Sequence, residues 1–264
     1  LPGKGRVRAK QLLIVGLGKG VSEATARLYG VKAGRAAQSQ TSLAIVAPST
    51  DPTLLRALAD GVGTGAYRYT RYFTGSRAPK KQLSKASILL ERKPSAEQKH
   101  AVTEGAISAD AVNFARDLVN CPPNDLTATV LAEEAKAKAG AVGTESKDWG
   151  KHGIEKLGMP LLLAVNRGSY EEPRSMNITY KPKQAPEGLP RVVFVGKGLT
   201  FDSGGLCIKP AASMLDMKCD MAGAAMTIAT VIAAAQLALP LEVHAVVGST
   251  DNMLGGNAFR PGDV

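Results

Sequence analysis

One stretch of this sequence limits the possible folds more than any other, because the residues from Met221 to Leu241 carry no charge. The stretch lies between Asp220 and Glu242, and its length is close to the roughly 20 residues with which a helix crosses a membrane. Its composition argues against that use, because alanine dominates it, hydroxyl and amide side chains interrupt it, and Pro240 closes it. We therefore predict a helix buried inside a globular domain, and no membrane partner.

Short apolar runs alternate with helical patterns along the whole chain. Residues 11–16 and 43–47 are typical of strands, and the segment 22–37 between them has helical character. In the second half, apolar runs at 161–165, 176–180 and 192–195 precede the uncharged stretch, and residues 241–247 then alternate as a strand does. This order predicts an α/β fold in both halves of the chain.

The chain divides into two predicted domains joined by a helix. Its 264 residues, 44% hydrophobic and 21% charged, suffice for two hydrophobic cores and are not typical of disordered or coiled-coil proteins. A polar segment at 77–82 precedes a helix that Ser95 and Gln98 begin with a capping-box pattern, and the prolines at 122–123 prevent that helix from continuing. We predict a basic N-terminal domain over residues 1–94, a linker helix over 95–119 and a second domain over 120–264.

Positive charge is concentrated in the first third of the chain. Residues 1–95 contain 17 lysines and arginines but four acidic residues, a net charge of +13, whereas residues 96–264 have a net charge of −3. Clustered cations attract polyanions such as DNA through a field that salt screens. A solvated basic surface without a partner is the alternative. Nucleic-acid binding is therefore kept as an alternative function, alone or beside another activity.

The residues that could carry chemistry follow the apolar run 192–195. A glycine-rich loop contains Lys197 and Asp202, and Lys209 and Asp220 come before the uncharged stretch. Open α/β sheets place active sites in such loops at strand ends. Structural ion pairs are one explanation of these charges. The other is a metal site, in which the two carboxylates supply oxygen ligands, a deprotonated lysine amine at 197 joins them, and Lys209 polarises a carbonyl.

Two other kinds of site fit the sequence poorly. Residues 201–205 echo the nucleophile segment of chymotrypsin-like serine proteases, but Phe201 stands where those proteins need glycine, and the chain has an α/β pattern. The glycines at 61–65 approach a dinucleotide-binding pattern, yet no clear strand precedes them. Neither a serine protease nor a dinucleotide enzyme is predicted. Three cysteines are too few for a disulfide framework, which favours a reducing compartment.

The glycine-rich loop and three other segments resemble a known family. Residues 195–210 (VGKGLTFDSGGLCIKP) and 217–225 (MKCDMAGAA) carry its long ordered motifs, and residues 120–124 (NCPPN) and 257–263 (NAFRPGD) resemble its other landmarks. This is the leucyl aminopeptidase, or cytosol aminopeptidase, family in its bacterial form. The resemblance covers about residues 100–264, and the basic first third is similar to the family's variable N-terminal domain only loosely.

The resemblance implies a role for each charged residue of the loop. By position, Lys197 and Asp220 resemble ligands of one metal ion, and Asp202 resembles the carboxylate that bridges two. Lys209 resembles the catalytic lysine that stabilises the developing oxyanion. Met217 resembles a wall of the pocket for the first side chain of the substrate. Met217, Lys209 and Asp220 are therefore the expected substrate-binding residues.

The resemblance also implies a reaction and an assembly. We expect a cytoplasmic homohexamer that removes leucine-like residues from the N-termini of peptides with two Mn²⁺ or Zn²⁺ ions per subunit, and a catalytic domain with a mixed central sheet. In the family, a further motif, Asn-Thr-Asp-Ala-Glu-Gly-Arg, supplies two more carboxylate ligands and an arginine. This sequence ends before such a motif and begins without methionine. We therefore expect a chain truncated at both ends that is inactive by itself.

Overall fold

The computed structural model describes residues 9–183, 188–255 and 260–264, and the chain forms two compact units, one ending at Asn113 and the other beginning at Phe114. Both units combine helices with a sheet, so the predicted α/β fold class is confirmed. A helix, α3, extends over Ala96–Asn120, where the linker helix is predicted over residues 95–119, and the limit between the two units falls inside it. The domain limits predicted at 94 and 120 stay a prediction.

Local sequence explains where α3 begins and ends. The backbone N–H of Ser95 donates to Oε1 of Gln98 at 3.0 Å, and the N–H of Gln98 donates to Oγ of Ser95 at 3.1 Å. This is the reciprocal capping box that the sequence predicts. The helix ends at Asn120, two residues before Pro122, as expected for a residue that cannot continue a helix.

The first unit contains a two-stranded parallel sheet and a pair of packed helices. The elements that precede α3 are α1 (Glu23–Ala36), β1 (Ser42–Val46), α2 (Pro52–Ala66) and β2 (Lys85–Leu89). The side chain of Asp51 begins α2 by accepting from the N–H groups of Thr53 and Leu54. Ile45 lies opposite Ile88 across the two strands, and the buried core beneath β1 contains Ala33, Ile45, Leu58 and Val62.

The strand predicted over residues 11–16 is wrong. Only Gln11 takes part in an isolated bridge, and the residues after it have no regular secondary structure. Leu13 and Ile14 are 54% and 79% exposed. Apolar residues favour a strand where a neighbouring strand and a packed surface are present, and within the described residues the sheet of the first unit consists of β1 and β2 alone.

Helices α1 and α2 approach each other through glycine. A Cβ atom at Gly30 or Gly34 of α1 would overlap the backbone of α2, and one at Gly61 or Gly65 of α2 would overlap the backbone of α1. The glycine pattern at 61–65 that approaches a nucleotide-binding loop therefore lies inside a helix. Its glycines let two backbones pack closely.

We expect Gly61→Ala to destabilise the chain by about 1–3 kcal/mol, because the added methyl group would overlap the carbonyl oxygen of Arg27, which cannot move without shifting α1. Alanine favours a helix over glycine by about 1 kcal/mol, so the loss of packing must exceed that gain. Urea unfolding followed by circular dichroism measures the difference. Gly140→Ala is the matched control, because open space surrounds this helical glycine, and a loss of stability there as large as that of Gly61→Ala would contradict the explanation.

The second unit is built on a four-stranded mixed sheet. Its strands are β3 (Glu145–Trp149), β4 (Arg174–Tyr180), β5 (Arg191–Asp202) and β6 (Glu242–Asn252), in the spatial order β3-β4-β6-β5. The β3–β4 and β4–β6 pairs are antiparallel, whereas β5 and β6 are parallel. The expected mixed sheet is therefore present. The helices of this unit after α3 are α4 (Ala128–Gly140), α5 (Lys151–Lys156), α6 (Pro160–Asn166), α7 (Ala211–Met214) and α8 (Ala222–Gln236).

Helix α8 is the buried helix that the uncharged stretch predicts. It packs against β4, β5 and β6, and residues such as Ile228, Val231 and Ile232 are buried. Within the described residues, the stretch Ala211–Gln236 is long and apolar enough to cross a membrane by length and composition, but half of its apolar window is buried in the fold. A helix at the centre of a soluble core has the same composition, and the packing of α8 favours that explanation.

Candidate active site

A β-bulge in β5 places two of the predicted ligands on one face of the sheet. Lys197 and Asp202 are five residues apart, so a regular strand would point them to opposite faces. The register shifts between Leu199 and Asp202, however, so that Lys197 pairs with Gly248 and Asp202 with Asn252. These partners are four residues apart on β6 and lie on one face. The extra residue in β5 thus brings Lys197 and Asp202 to the same side.

Asp202 is the centre of a dense hydrogen-bond network at the end of β5. Its Oδ1 accepts from the backbone N–H of Gly204 and from Nδ2 of Asn252, both at 2.9 Å. Its Oδ2 lies 2.5 Å from Nζ of Lys209. The positive φ of 91° at Gly204 turns the loop back, so that its backbone reaches the carboxylate. The structure therefore joins two of the predicted site residues, Asp202 and Lys209, in an ion pair.

The environment of Asp202 favours the ionised carboxylate. Burial raises the pKa of this group, but hydrogen bonds from Lys209, the Gly204 N–H and Asn252, together with the charge of Lys209, outweigh burial and hold the pKa below its ordinary value of 3.8. The carboxylate is thus negative at neutral pH. It is available as an anionic ligand.

This lowered pKa predicts a pH-dependent contribution to stability. A carboxylate whose folded pKa lies below its unfolded pKa stabilises the fold fully above the unfolded pKa, and the contribution disappears as the pH falls through the folded pKa. We expect the urea midpoint of the wild type to fall more steeply below about pH 4 than that of Asp202→Asn. Parallel pH profiles of the two proteins would contradict the assignment.

A second ion pair joins β5 to the beginning of α8. Nζ of Lys197 lies 2.7 Å from Oδ2 of Asp220, which follows the short 3-10 turn Met217–Cys219. Oδ2 of Asp220 is buried and accepts no hydrogen bond. The contact with Lys197 is therefore an ion pair without hydrogen-bond geometry. Glycine allows this approach: a Cβ atom at Gly196 would lie 2.7 Å from Cα of Ala224, so α8 begins directly against β5.

Met217 lies in the same 3-10 turn and is partly buried. Its neighbour Lys218 donates from Nζ to the carbonyl of Asn120 at 3.0 Å, which ties this turn to the segment 120–124. Asn124 in turn exchanges two hydrogen bonds with the backbone of Val264. Two of the segments that carry the resemblance are thus held together, while residues 257–259 of the fourth segment lie outside the described residues.

The donor chemistry of these side chains fits a divalent metal ion. Asp202 and Asp220 offer carboxylate oxygens, which hard cations prefer, and Oδ2 of Asp220 accepts no hydrogen bond. Among the residues that the structure describes, no group of three or more His, Cys, Asp or Glu side chains could hold a metal ion. A metal site here therefore depends on Lys197 together with two carboxylates.

The sequence did not indicate Asn252 as a site residue, nor the hydrogen bonds by which Ser203 holds the loop. Oγ of Ser203 donates to the carbonyl of Asn252 at 2.7 Å and accepts from the N–H of Gly205 at 3.2 Å, and the residue is 5% exposed. A hydroxyl engaged in this way holds the loop and is not a free nucleophile, in agreement with the rejection of a serine protease. The motif itself gave no signal for Asn252, because that residue lies on another strand.

Comparison with known proteins gives a family match over the second unit. Residues 113–264 match the model of the cytosol aminopeptidase family, catalytic domain. The protein of Rhodococcus jostii named "Probable cytosol aminopeptidase" is 36% identical over 267 residues, which cover 100% of this chain and 52% of that protein. The chain thus spans about half the length of the curated relatives that it matches.

Two solved structures are similar to both the sequence and the fold. The bottromycin maturation enzyme BotP in complex with Mn is 35% identical with a TM-score of 0.77, over 92% of this chain and 51% of that chain. A tomato leucine aminopeptidase is 28% identical, also with a TM-score of 0.77, over 93% of this chain and 48% of that chain. The similarity therefore extends through most of the chain in sequence and in three dimensions.

Proposed function

The chain belongs to the cytosol aminopeptidase family, and from this membership we propose that the whole protein is a metal-dependent aminopeptidase that releases leucine-like residues from peptide N-termini. One observation carries the proposal. The Lys197–Asp220 and Asp202–Lys209 pairs both include a residue from the same face of β5. Two carboxylates and two lysines placed in this way supply anionic ligands and positive charge at the end of a strand.

We assign the metal-binding roles to Lys197, Asp202 and Asp220. A divalent ion bound by them, Mn²⁺ or Zn²⁺ with two ions per subunit, would acidify a water molecule and polarise the scissile carbonyl. In the metal-free chain, Lys197 and Lys209 provide the positive charge that the two carboxylates need, because a partly buried carboxylate without a partner is costly. The complex of BotP with Mn supports a divalent cation in this family.

The other roles concern the substrate. Lys209 is a charged donor that can stabilise the negative charge developing on the carbonyl oxygen, a type of stabilisation that contributes strongly to acyl transfer. Met217 lies in the turn that leads to Asp220, so an apolar side chain next to the proposed metal site is available for a leucine-like residue. Asp220 and Lys209 complete the substrate-binding set.

A hydrolysis assay tests this function. We expect the whole protein, freed of metal and then loaded with Mn²⁺ or Zn²⁺, to hydrolyse Leu-p-nitroanilide faster than Glu-p-nitroanilide. Removal of the metal with a chelator should abolish the activity, and added Mn²⁺ should restore it. Equal activity with and without metal would reject the proposal.

The 264-residue chain by itself is expected to be inactive. Its sequence lacks the Asn-Thr-Asp-Ala-Glu-Gly-Arg motif that the family resemblance implies for the remaining ligands. The intact mass of the purified protein decides what is being assayed, because 27.5 kDa corresponds to this chain alone. Metal-dependent hydrolysis by material of that mass would contradict this part of the proposal.

The assembly and location proposed for the whole protein are a homohexamer in the cytoplasm. The name of the Rhodococcus relative supports the location, and the scarcity of cysteine agrees with a reducing compartment. Light scattering after size-exclusion chromatography measures the assembly directly. A monomeric whole protein would reject the hexamer without affecting the aminopeptidase proposal.

Nucleic-acid binding is the second candidate function, and the exposed basic residues of the first unit favour it. Between β1 and α3, Arg68, Arg77, Lys80 and Lys81 are all exposed, within a third of the chain whose net charge is +13. If they contact phosphates, the chain should be retained on duplex DNA, and the logarithm of its affinity should fall linearly with the logarithm of the salt concentration. Replacement of Arg77, Lys80 and Lys81 by glutamate should reduce that slope, and no retention at low salt would reject this function.

A further inference from the structure

Asn252 lies outside the set of predicted site residues, yet its side chain contacts one of them, Asp202, directly. It lies at the end of β6, paired in the sheet with Asp202 of β5, and its Nδ2 donates to Oδ1 of that carboxylate at 2.9 Å. We propose that Asn252 is a positioning residue that holds the Asp202 carboxylate in the orientation needed for a divalent metal ion. This inference rests on the proposed metal-dependent function.

The hydrogen bonds divide the two oxygens of Asp202 between different kinds of donor. Oδ1 accepts from two neutral donors, the Asn252 amide and the Gly204 N–H. Oδ2 faces the flexible, charged side chain of Lys209. If Lys209 turns towards a substrate, the neutral donors still hold Oδ1. Rotation of the carboxylate is then restricted. Oδ2 still points to the position that the ammonium group of Lys209 occupied before it turned away.

Asn252 is itself held in place by the loop that follows β5. Its carbonyl accepts from both the backbone N–H and the Oγ of Ser203, at 2.9 and 2.7 Å. Gly205 has a positive φ of 68°, and a Cβ atom there would lie 2.7 Å from Oδ1 of Asn252. Glycine thus leaves the space that the amide occupies. Because only the NH₂ group of the amide can donate to a carboxylate, this group faces Asp202.

The chemistry of position 252 favours an uncharged donor. An aspartate there would place a second negative charge against Asp202 and disfavour its ionised form. A leucine has nearly the same shape but cannot donate, so it would leave Oδ1 with the backbone N–H alone. Asparagine combines the fitting shape with a donor that adds no charge, as expected for a residue that orients a ligand without competing with the metal.

Mn²⁺ binding to the purified 264-residue chain, prepared without metal, tests the inference. Free Mn²⁺ is followed by its electron paramagnetic resonance signal during titration. We expect Asn252→Leu to weaken Mn²⁺ binding by about 10- to 100-fold, the usual effect of removing a residue that orients a metal ligand. Asn177→Leu on β4 is the matched control, because its amide lies in the same sheet and bonds to Thr179, and it should keep the wild-type affinity.

Each result of this titration decides a different point. Equal Mn²⁺ affinity of the wild type and Asn252→Leu would overturn the positioning role and leave the proposed function intact. Absence of Mn²⁺ binding by the wild-type chain would overturn both the proposed metal site of this chain and the role of Asn252. If Asn252→Leu lacks the far-ultraviolet circular dichroism of the wild type, Asn252→Ser replaces it, because serine removes the amide without placing an apolar group against the carboxylate.

A metal-free measurement separates this contact from general packing. The melting temperature should fall on Asn252→Leu, and the same substitution should lower it less in an Asp202→Ala background, since the partner of the amide is then absent. Equal shifts in both backgrounds would show that Asn252 stabilises the fold without holding Asp202. That result would also overturn the inference.

Discussion

Lys209→Ala is expected to lower kcat of the metal-loaded whole protein by about 100- to 1,000-fold, with a much smaller change in KM, because a donor that stabilises a developing oxyanion acts in the transition state. The position of Lys209 supports this expectation. The lysine follows a loop that Gly204 and Gly205 turn through positive φ, and its ammonium group reaches the Asp202 carboxylate at 2.5 Å. It is thus held at the proposed metal ligands without being one of them.

The interpretation of this substitution needs a separate measurement of metal content. Removing Lys209 leaves Asp202 without its cationic partner, which changes the affinity of this carboxylate for a metal ion. We expect Lys209→Ala to retain Mn²⁺ at saturating concentration while kcat remains low. Lys147→Ala, which changes an exposed lysine on β3, is the control and should leave kcat unchanged. Recovery of full kcat in Lys209→Ala at high Mn²⁺ would show that Lys209 acts only through metal binding and does not stabilise the oxyanion.

Local signals were sufficient to predict the parts of the fold that depend on local physics. The capping box of Ser95 and Gln98 marks the start of α3, and the prolines after Asn120 mark its end. The absence of charge from Met221 to Leu241 identifies α8 as a core helix, because an uncharged helix of this composition must be buried. Each of these predictions requires only neighbours in sequence.

The features that the sequence did not reveal depend on partners far along the chain. Residues 11–16 have the composition of a strand, but a strand also needs a neighbour to pair with. The bulge in β5 has no composition signal, yet it decides that Lys197 and Asp202 share a face. Asn252 is 50 residues from Asp202, and only the register of β5 with β6 brings them together. Long-range register of this kind cannot be read from a motif.

The glycines show the same limit in a different way. Those at 61–65 and those at 204–205 look alike in sequence, since both groups are closely spaced and follow an aspartate. In the structure, Gly61 and Gly65 allow two helices to meet, whereas Gly204 and Gly205 turn the backbone through positive φ around the Asp202 carboxylate. Why a position requires glycine depends on the atoms that approach it and on its backbone conformation. Both are properties of the folded chain.

Asp202→Ala is expected to have the largest effect on metal binding, with Mn²⁺ affinity reduced by more than about 100-fold, since loss of a ligand should exceed the 10- to 100-fold effect of losing a residue that orients one. The network around Asp202 explains why no neighbour can replace it. Its loop is fixed by Ser203 and Asn252, and the other carboxylate, Asp220, follows the 3-10 turn of a separate segment and is itself a proposed ligand. Titration of the metal-free chain with Mn²⁺ measures the loss.

Asp216→Ala provides the matched control for that titration, because it removes an exposed carboxylate from the same segment of the chain, four residues before Asp220. A diffuse attraction of Mn²⁺ to negative charge would be weakened similarly by either substitution and would be screened by salt. Of these two substitutions, only Asp202→Ala would remove a coordinated ion. Equal losses in Asp202→Ala and Asp216→Ala would therefore contradict a defined site, whereas loss confined to Asp202→Ala would identify its carboxylate as a metal ligand.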